Sequence, residues 1–260
     1  MAPFGPGDWA RIAMRGAPLG LLVFGGLACL LLVRLVERPL FGPRRPVTPW
    51  ITRGVCSAAF VCLGMRRRAC GRPLVGEGAA VANHASWLDI FALNAGDAVY
   101  FVAKAEVAGW AGIGWLARAT GTLFIRRNRG DAAAQTRRLR KRLEQNHRLL
   151  FFPEGTSTDG RRVLPFKPTL FAPFFADHLK DELQVQPITV KYTAPMGEDP
   201  RFYGWWGDME FGTHLLRILA VRRPGSVEVI YHPPLRVAAF PGRKALAQAC
   251  EAQVRTGLEA

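Results

Sequence analysis

His84 and Asp89, in the run Asn83-His84-Ala85-Ser86-Trp87-Leu88-Asp89, carry the clearest chemistry in the sequence. A carboxylate that holds one imidazole nitrogen fixes the tautomer and leaves the other nitrogen free to take a proton from a hydroxyl. Such a pairing needs a turn between a strand and a helix. Residues 79–82 (AAVA) read as the end of a buried strand, and Ser86-x-x-Asp89 reads as a helix start, with Ser86 at the N-cap and Asp89 at the third position. Side chains in a first helical turn lean back toward the N-terminus, which aims Asp89 at the imidazole. The same spacing also describes a capping box beside a passenger histidine, and the motif alone leaves both readings open.

Two further runs carry polar groups in useful places. Phe151-Phe152-Pro153-Glu154-Gly155-Thr156-Ser157 follows a predicted strand over 149–152. Open α/β folds bind ligands beyond the carboxyl ends of their strands. There Gly155 permits close backbone approach, while Thr156 and Ser157 offer donors to an anionic group. An ordinary Pro-Gly turn explains the same residues. The run Gly121-Thr122-Leu123-Phe124-Ile125-Arg126-Arg127-Asn128-Arg129 is a strand ending in arginines. Arg126 and Arg127, directly after the β-run, suit a phosphate or carboxylate. The arginines from Arg137 to Arg142 fit a solvated helix face. No G-x-S-x-G elbow, P-loop, H-E-x-x-H or dinucleotide fingerprint is present. Ser86 lies near enough to His84 for an acyl-serine route, but capping is its simpler role.

The elements that must position these residues follow from the pattern. Strands are predicted at 79–82, 99–102, 122–125, 149–152, 185–192 and 227–231. Helices are predicted at 87–94, 106–118, 131–146, 169–178, 212–221 and 243–257. Alternation of this kind gives an α/β fold, a central mixed sheet flanked by helices. Ahead of it, residues 17–33 are free of charge, with Arg11 and Arg15 before them and Arg34 and Arg38 after. Seventeen apolar residues fall slightly short of the roughly 20 a full span needs, so spanning and interfacial placement both stay open. Residues 38–72 form a basic, proline-broken connector in which 51–65 is a second apolar helix. The chain divides into an N-terminal membrane-associating helical segment with its connector, 1–72, and a catalytic domain, 73–260.

Thirty-five Lys and Arg against 20 Asp and Glu give a net charge of +15, which implies an anionic partner such as a membrane leaflet, a phosphorylated substrate or nucleic acid. Nucleic acid is the weakest of these: zinc-finger, RNP and basic-zipper patterns are absent, and the run 17–33 has no place in such a module. Five cysteines, with no C-x-x-C pair, suggest neither a disulfide framework nor a zinc site. No metal site is expected.

The three motifs, in this order, resemble those of the lysophosphatidic acid acyltransferase family. The match runs from about Pro73 to Pro234. Asn83, His84, Ser86 and Asp89 match the first block; Gly121, Phe124, Ile125 and Arg127 the second. Phe152 to Ser157 match the third, and Val185-Gln186-Pro187-Ile188-Thr189-Val190 the fourth. One departure is the run Leu164-Pro165-Phe166-Lys167-Pro168, which lacks the glycine that many members carry two places after a basic residue. That form, with Phe202-Tyr203-Gly204-Trp205-Trp206-Gly207 and Tyr231-His232-Pro233-Pro234, is similar to the bacterial branch that acylates lyso-ornithine lipid.

The resemblance implies an O-acyltransferase that moves a fatty acyl group from an acyl carrier protein or CoA thioester to a lysolipid hydroxyl. His84 and Asp89 would be catalytic, and Arg126, Arg127, Glu154, Gly155, Thr156 and Ser157 would bind substrate. No cofactor is expected beyond the thioester co-substrate. Anionic membrane lipid, the lysolipid acceptor and acyl carrier protein are the expected partners, and the cytoplasmic face of the inner membrane the expected location. Lysophosphatidic acid is the alternative acceptor, and a non-catalytic membrane scaffold the alternative from a different class.

Overall fold

A computed structural model of the chain describes residues 4–76, 78–110, 112–125, 132–145, 147–175 and 179–260. Two helices come first. The helix α1 (Pro6–Phe41) has 36 residues, about 54 Å at 1.5 Å per residue, and passes two internal prolines, Pro18 and Pro39. It is long and apolar enough to cross a membrane. Leu21, Leu31, Leu32, Leu35 and Leu40 on it are exposed.

The next helix, α2 (Thr48–Leu63), returns beside α1. Gly26 makes the approach possible, since a Cβ there would lie 2.4 Å from Val55 Cγ2. The buried Glu37 fixes where α2 begins. Its carboxylate accepts the N–H groups of Val47 (2.7 Å) and Thr48 (3.1 Å) and the Thr48 hydroxyl (2.8 Å). A negative group satisfies the orphan donors of a helix start, so α2 opens three residues earlier than the apolar pattern at 51–65 indicates.

Eight strands among the described residues build one sheet: β1 (Arg66–Cys70), β2 (Gly78–Ala82), β3 (Tyr100–Lys104), β4 (Leu123–Ile125), β5 (Leu149–Phe151), β6 (Gln184–Thr193), β7 (Ser226–Tyr231) and β8 (Leu235–Arg236). Their order is β1-β7-β6-β2-β5-β3-β4, with β8 also on β6. Strands β2 to β6 are mutually parallel, and β7 and β8 run antiparallel to β6. The sheet is therefore mixed and flanked by helices, as the pattern predicts. Strand β1 belongs to it although it lies in the basic connector, so the sheet begins before Pro73. Arg66-Arg67-Arg68 reads as connector because edge strands carry charge on their exposed positions.

Central β2 is buried throughout, and its side chains alternate between two cores. Ala80 and Ala82 face a core with Leu63, Leu88, Leu93, Ile188 and Val190. Here α2 packs on α3 (Leu88–Asn94), and α1 on α6 (Phe211–Ala220). Ala79 and Val81 face the other core, with Phe151, Phe171, Phe174, Leu246 and Val254. Phe171 and Phe174 lie in a 3-10 segment (Pro168–Phe175), and Leu246 and Val254 on α7 (Arg243–Glu259).

Two predicted helices are altered by their breakers. Residues 106–118 divide into a 3-10 turn (Ala105–Gly109) and α4 (Ile113–Ala119), with Gly112 at φ +70° between them. The stretch from 169 winds as 3-10 around Pro173. The remaining helix, α5, is Ala132–Leu143.

The long α1 is tied to the body at both ends. Arg11 Nε donates to Ala220 O, and Arg15 Nη1 to Leu219 O and Val221 O, the last carbonyls of α6. Near its other end Glu37 holds the start of α2, and in the turn between the two helices Arg45 donates to Ala119 O at the end of α4.

Candidate active site

The chain leaves β2 at Ala82 and reaches α3 at Leu88 through five residues, and this turn holds the predicted pair. Asn83 anchors its start. Its side chain donates to Val190 O (2.9 Å) and accepts Val190 N–H (2.7 Å), continuing the β2–β6 ladder past the end of β2. His84 Nδ1 then lies 2.7 Å from Asp89 Oδ2. That oxygen also accepts the N–H groups of Ala85 (2.8 Å) and Ser86 (3.1 Å), so it acts as a carboxylate acceptor and the proton of the pair sits on Nδ1.

Asp89 has no exposed surface, whereas the His84 side chain is 21% exposed. Nε2 of His84 meets no hydrogen-bonding partner among the described residues. The imidazole face is covered by Phe152, with ring centroids 4.0 Å apart and planes 9° from parallel. A buried anion on one nitrogen, an apolar ring on one face and a free second nitrogen make a base fit for proton transfer.

The capping box is met in one direction only. Asp89 accepts the N–H of Ser86, but α3 opens one residue later than predicted, with Trp87 at its N-cap, and the Asp89 N–H goes to Ser86 O while Ser86 Oγ meets Leu88 N–H at 3.4 Å. Ser86 itself is fully buried.

The turn after β5 reaches the same place. Glu154 is 2% exposed, and its carboxylate accepts His84 N–H through Oε1 and Leu164 N–H through Oε2, both at 2.7 Å. Burial raises its pKa to about 7, against the lowering effect of those two amides. Both oxygens are engaged by backbone, so Glu154 braces the His84 turn from within. Gly155 takes φ +78°, the left-handed region that favours glycine, and turns the chain away. Thr156 is exposed and Ser157 half-buried. Arg126 and Arg127 lie outside the described residues. Arg142, from the basic helix α5, turns inward over the Tyr100 ring at 4.6 Å and donates to Gly121 O.

Four contributors escape sequence reasoning. Thr158 donates to His84 O from its N–H (2.8 Å) and its hydroxyl (3.2 Å). Trp205 N–H donates to Ala85 O at 2.8 Å, bringing the aromatic stretch after residue 202 against the turn. Trp87 is held by His214, which accepts its indole N–H at 3.0 Å and stays neutral because burial lowers its pKa. Tyr192, near the end of β6, donates its hydroxyl to Asp89 Oδ1 at 2.7 Å. Only Trp205 carried a signal, in its run of aromatics and glycines.

Known proteins share this arrangement. A family model described as Acyltransferase matches residues 73–191. The chain is 58% identical over 248 residues to a lyso-ornithine lipid O-acyltransferase of Rhodobacter capsulatus, covering 95% of this chain and 90% of the relative. It is 34% identical to one from Pseudomonas aeruginosa, over 95% of this chain and 93% of that protein. A 1-acyl-sn-glycerol-3-phosphate acyltransferase of Neisseria meningitidis is 40% identical over 46% of each chain. Among solved structures, the 1-acyl-sn-glycerophosphate acyltransferase PlsC of Thermotoga maritima has the same fold, with a TM-score of 0.61 at 21% identity over 95% of this chain and 97% of that one. The chain belongs to the lysophosphatidic acid acyltransferase family, in the branch it shares with the lyso-ornithine lipid O-acyltransferases.

Proposed function

We propose that this acyltransferase moves a fatty acyl group from a carrier-protein or CoA thioester to the free hydroxyl of lyso-ornithine lipid. The 2.7 Å contact between His84 Nδ1 and the buried Asp89 carries the chemical half of the proposal. The 58% identity to the Rhodobacter protein supports the acceptor.

In the reaction, His84 Nε2 removes the acceptor's hydroxyl proton as the oxygen forms a bond to the thioester carbonyl carbon. Asp89 holds the ring and stabilises the imidazolium. Collapse of the tetrahedral intermediate breaks the carbon–sulfur bond, and the leaving thiolate takes the proton from His84. The thioester brings its own activation, so the scheme uses no bound cofactor or metal. The acceptor is met on the open side of the turn, with Thr156 and Ser157 as its contacts, and the anionic group of its head is assigned to Arg126 and Arg127 from the sequence motif. Glu154 and Gly155 shape that surface through the backbone.

The protein works at a membrane, on a lipid substrate, with α1 as its apolar contact. Because Arg11, Arg15 and Glu37 bind both ends of α1 to one body, we place α1 along a single leaflet, on the cytoplasmic face of the inner membrane where acyl thioesters are made. The net charge of +15 suits anionic lipid and an acidic acyl carrier protein, an attraction that weakens with salt.

Membranes containing the protein, supplied with labelled acyl-carrier thioester and one lysolipid at a time, test the proposal. Label should enter ornithine lipid, and His84→Ala should abolish this while leaving the protein membrane-bound. Label in phosphatidic acid alone would replace the acceptor with lysophosphatidic acid, the reading that the Neisseria relative favours.

A further inference from the structure

The two oxygens of Asp89 are held unequally. Oδ2 receives three donors, from His84, Ala85 and Ser86. For Oδ1 the structure shows one, the hydroxyl of Tyr192 at 2.7 Å. A buried carboxylate with an unsatisfied oxygen is costly, and it can relieve that cost by rotating about its last bond. Rotation would take Oδ2 off the imidazole.

Tyr192 is placed to prevent it. Strand β6 runs on past the end of β2, whose last partner is Ile188, so the residues after it flank the catalytic turn. Ile188, Val190 and Tyr192 share one face, and Asn83 locks the strand to the turn at Val190 on both sides. The Tyr192 ring is buried, packs 5.6 Å from the ring of Tyr203, and pairs through its backbone with Val227 of β7. Its hydroxyl is thus delivered by a strand that pairs with β2, β7 and β8. Burial and the neighbouring negative charge hold the Tyr192 pKa well above that of an ordinary phenol, so it remains a donor throughout the working range.

We propose that Tyr192 is a positioning residue for acyl transfer: its hydroxyl fixes the Asp89 carboxylate and draws off part of its charge, setting how tightly His84 holds a proton. This role rests on His84 being the base. It acts through Asp89 and requires no contact with substrate. Among the described residues Glu154, in the turn after β5, faces the pair, and Tyr203 faces Tyr192, with Arg15 of α1 beyond Tyr203.

The test is Tyr192→Phe in the full chain, assayed in membrane vesicles with acceptor and thioester varied separately. Phenylalanine keeps the ring and removes only the donor. The expected result is a fall in kcat of roughly tenfold with KM for both substrates within about twofold. In addition, the acid limb of the pH–kcat profile should move to higher pH, because a carboxylate with one donor fewer holds the imidazolium more firmly. Fluorinated tyrosine at position 192 keeps the fold and strengthens the donor, and should move that limb the opposite way. The fluorinated protein also decides the matter if Tyr192→Phe does not fold. Unchanged kcat and an unmoved acid limb in the folded variant, or an unmoved limb in the fluorinated protein, overturn the proposal. An active His84→Ala protein would instead remove the reading beneath it.

Discussion

Glu154 accepts the backbone N–H of His84 at 2.7 Å across 70 residues of sequence, so the third motif physically carries the first. Its partner on the other oxygen, Leu164 N–H, lies in the run that departs from the usual family form. The brace and the departure are therefore one structure.

Replacing Glu154 by Gln puts an amide N–H against one of those two backbone donors, and the melting temperature should fall. The gap depends on pH. A carboxyl whose folded pKa is raised from 4.5 to about 7 binds its proton more tightly when folded, so wild-type loses stability as pH rises through that window. Thermal melts from pH 5 to pH 8 should show wild-type and Glu154→Gln converging. Parallel curves would mean that Glu154 is ionised throughout.

Asp89→Asn isolates the charge. The Asn oxygen can still accept from His84, Ala85 and Ser86, while its NH2 donates to a rotated Tyr192 hydroxyl, so the turn should survive. Without the negative charge the imidazolium is unsupported, and kcat should fall by about a hundredfold or more with little change in KM. Steady-state kinetics on protein with a near-native melting curve checks this.

Phe152→Leu uncovers the stacked face of His84. Loss of the ring contact should lower kcat roughly fivefold, the size expected of a stacked pair. Membrane binding should be unaffected, since Phe152 lies beneath the turn. A vesicle pull-down run beside the assay separates the two effects.

Glu37→Ala strikes the start of α2. Three donors lose their buried acceptor and Arg34 loses its partner, so the chain should be destabilised by about 2–4 kcal/mol. Chemical denaturation in detergent would measure it. Activity per folded molecule should stay near wild-type.

What could be read in the sequence was local. His84 and Asp89 are five residues apart, and the turn into α3 brings them close enough for the pair to be read from one short run. The buried strand before them and the turn at Pro153 and Gly155 follow equally from short runs. What escaped depends on register between distant strands. Tyr192 meets Asp89 only because β6 overshoots β2, and nothing in Lys191-Tyr192-Thr193 announces it. Strand β1 escaped because an edge strand of arginines has no apolar alternation to detect. The 3-10 winding around Pro173 and the break at Gly112 are places where one residue outweighs a helical pattern. Glu154 was legible as a polar residue at the right turn, but its direction, inward to the backbone of His84, was not.

The turn that carries His84 is held on every side: by Val190 at Asn83, by Glu154 at the histidine N–H, by Thr158 at its carbonyl and by Trp205 at Ala85 O. The base and its carboxylate are aligned without a lipid present. The entropy of aligning base and carboxylate was spent in folding. For such an enzyme, substrate selection becomes a matter of which hydroxyl can be carried to a fixed point, and substitutions of Asn83, Glu154 or Thr158 should register as lost rate although none of them touches the atoms that react.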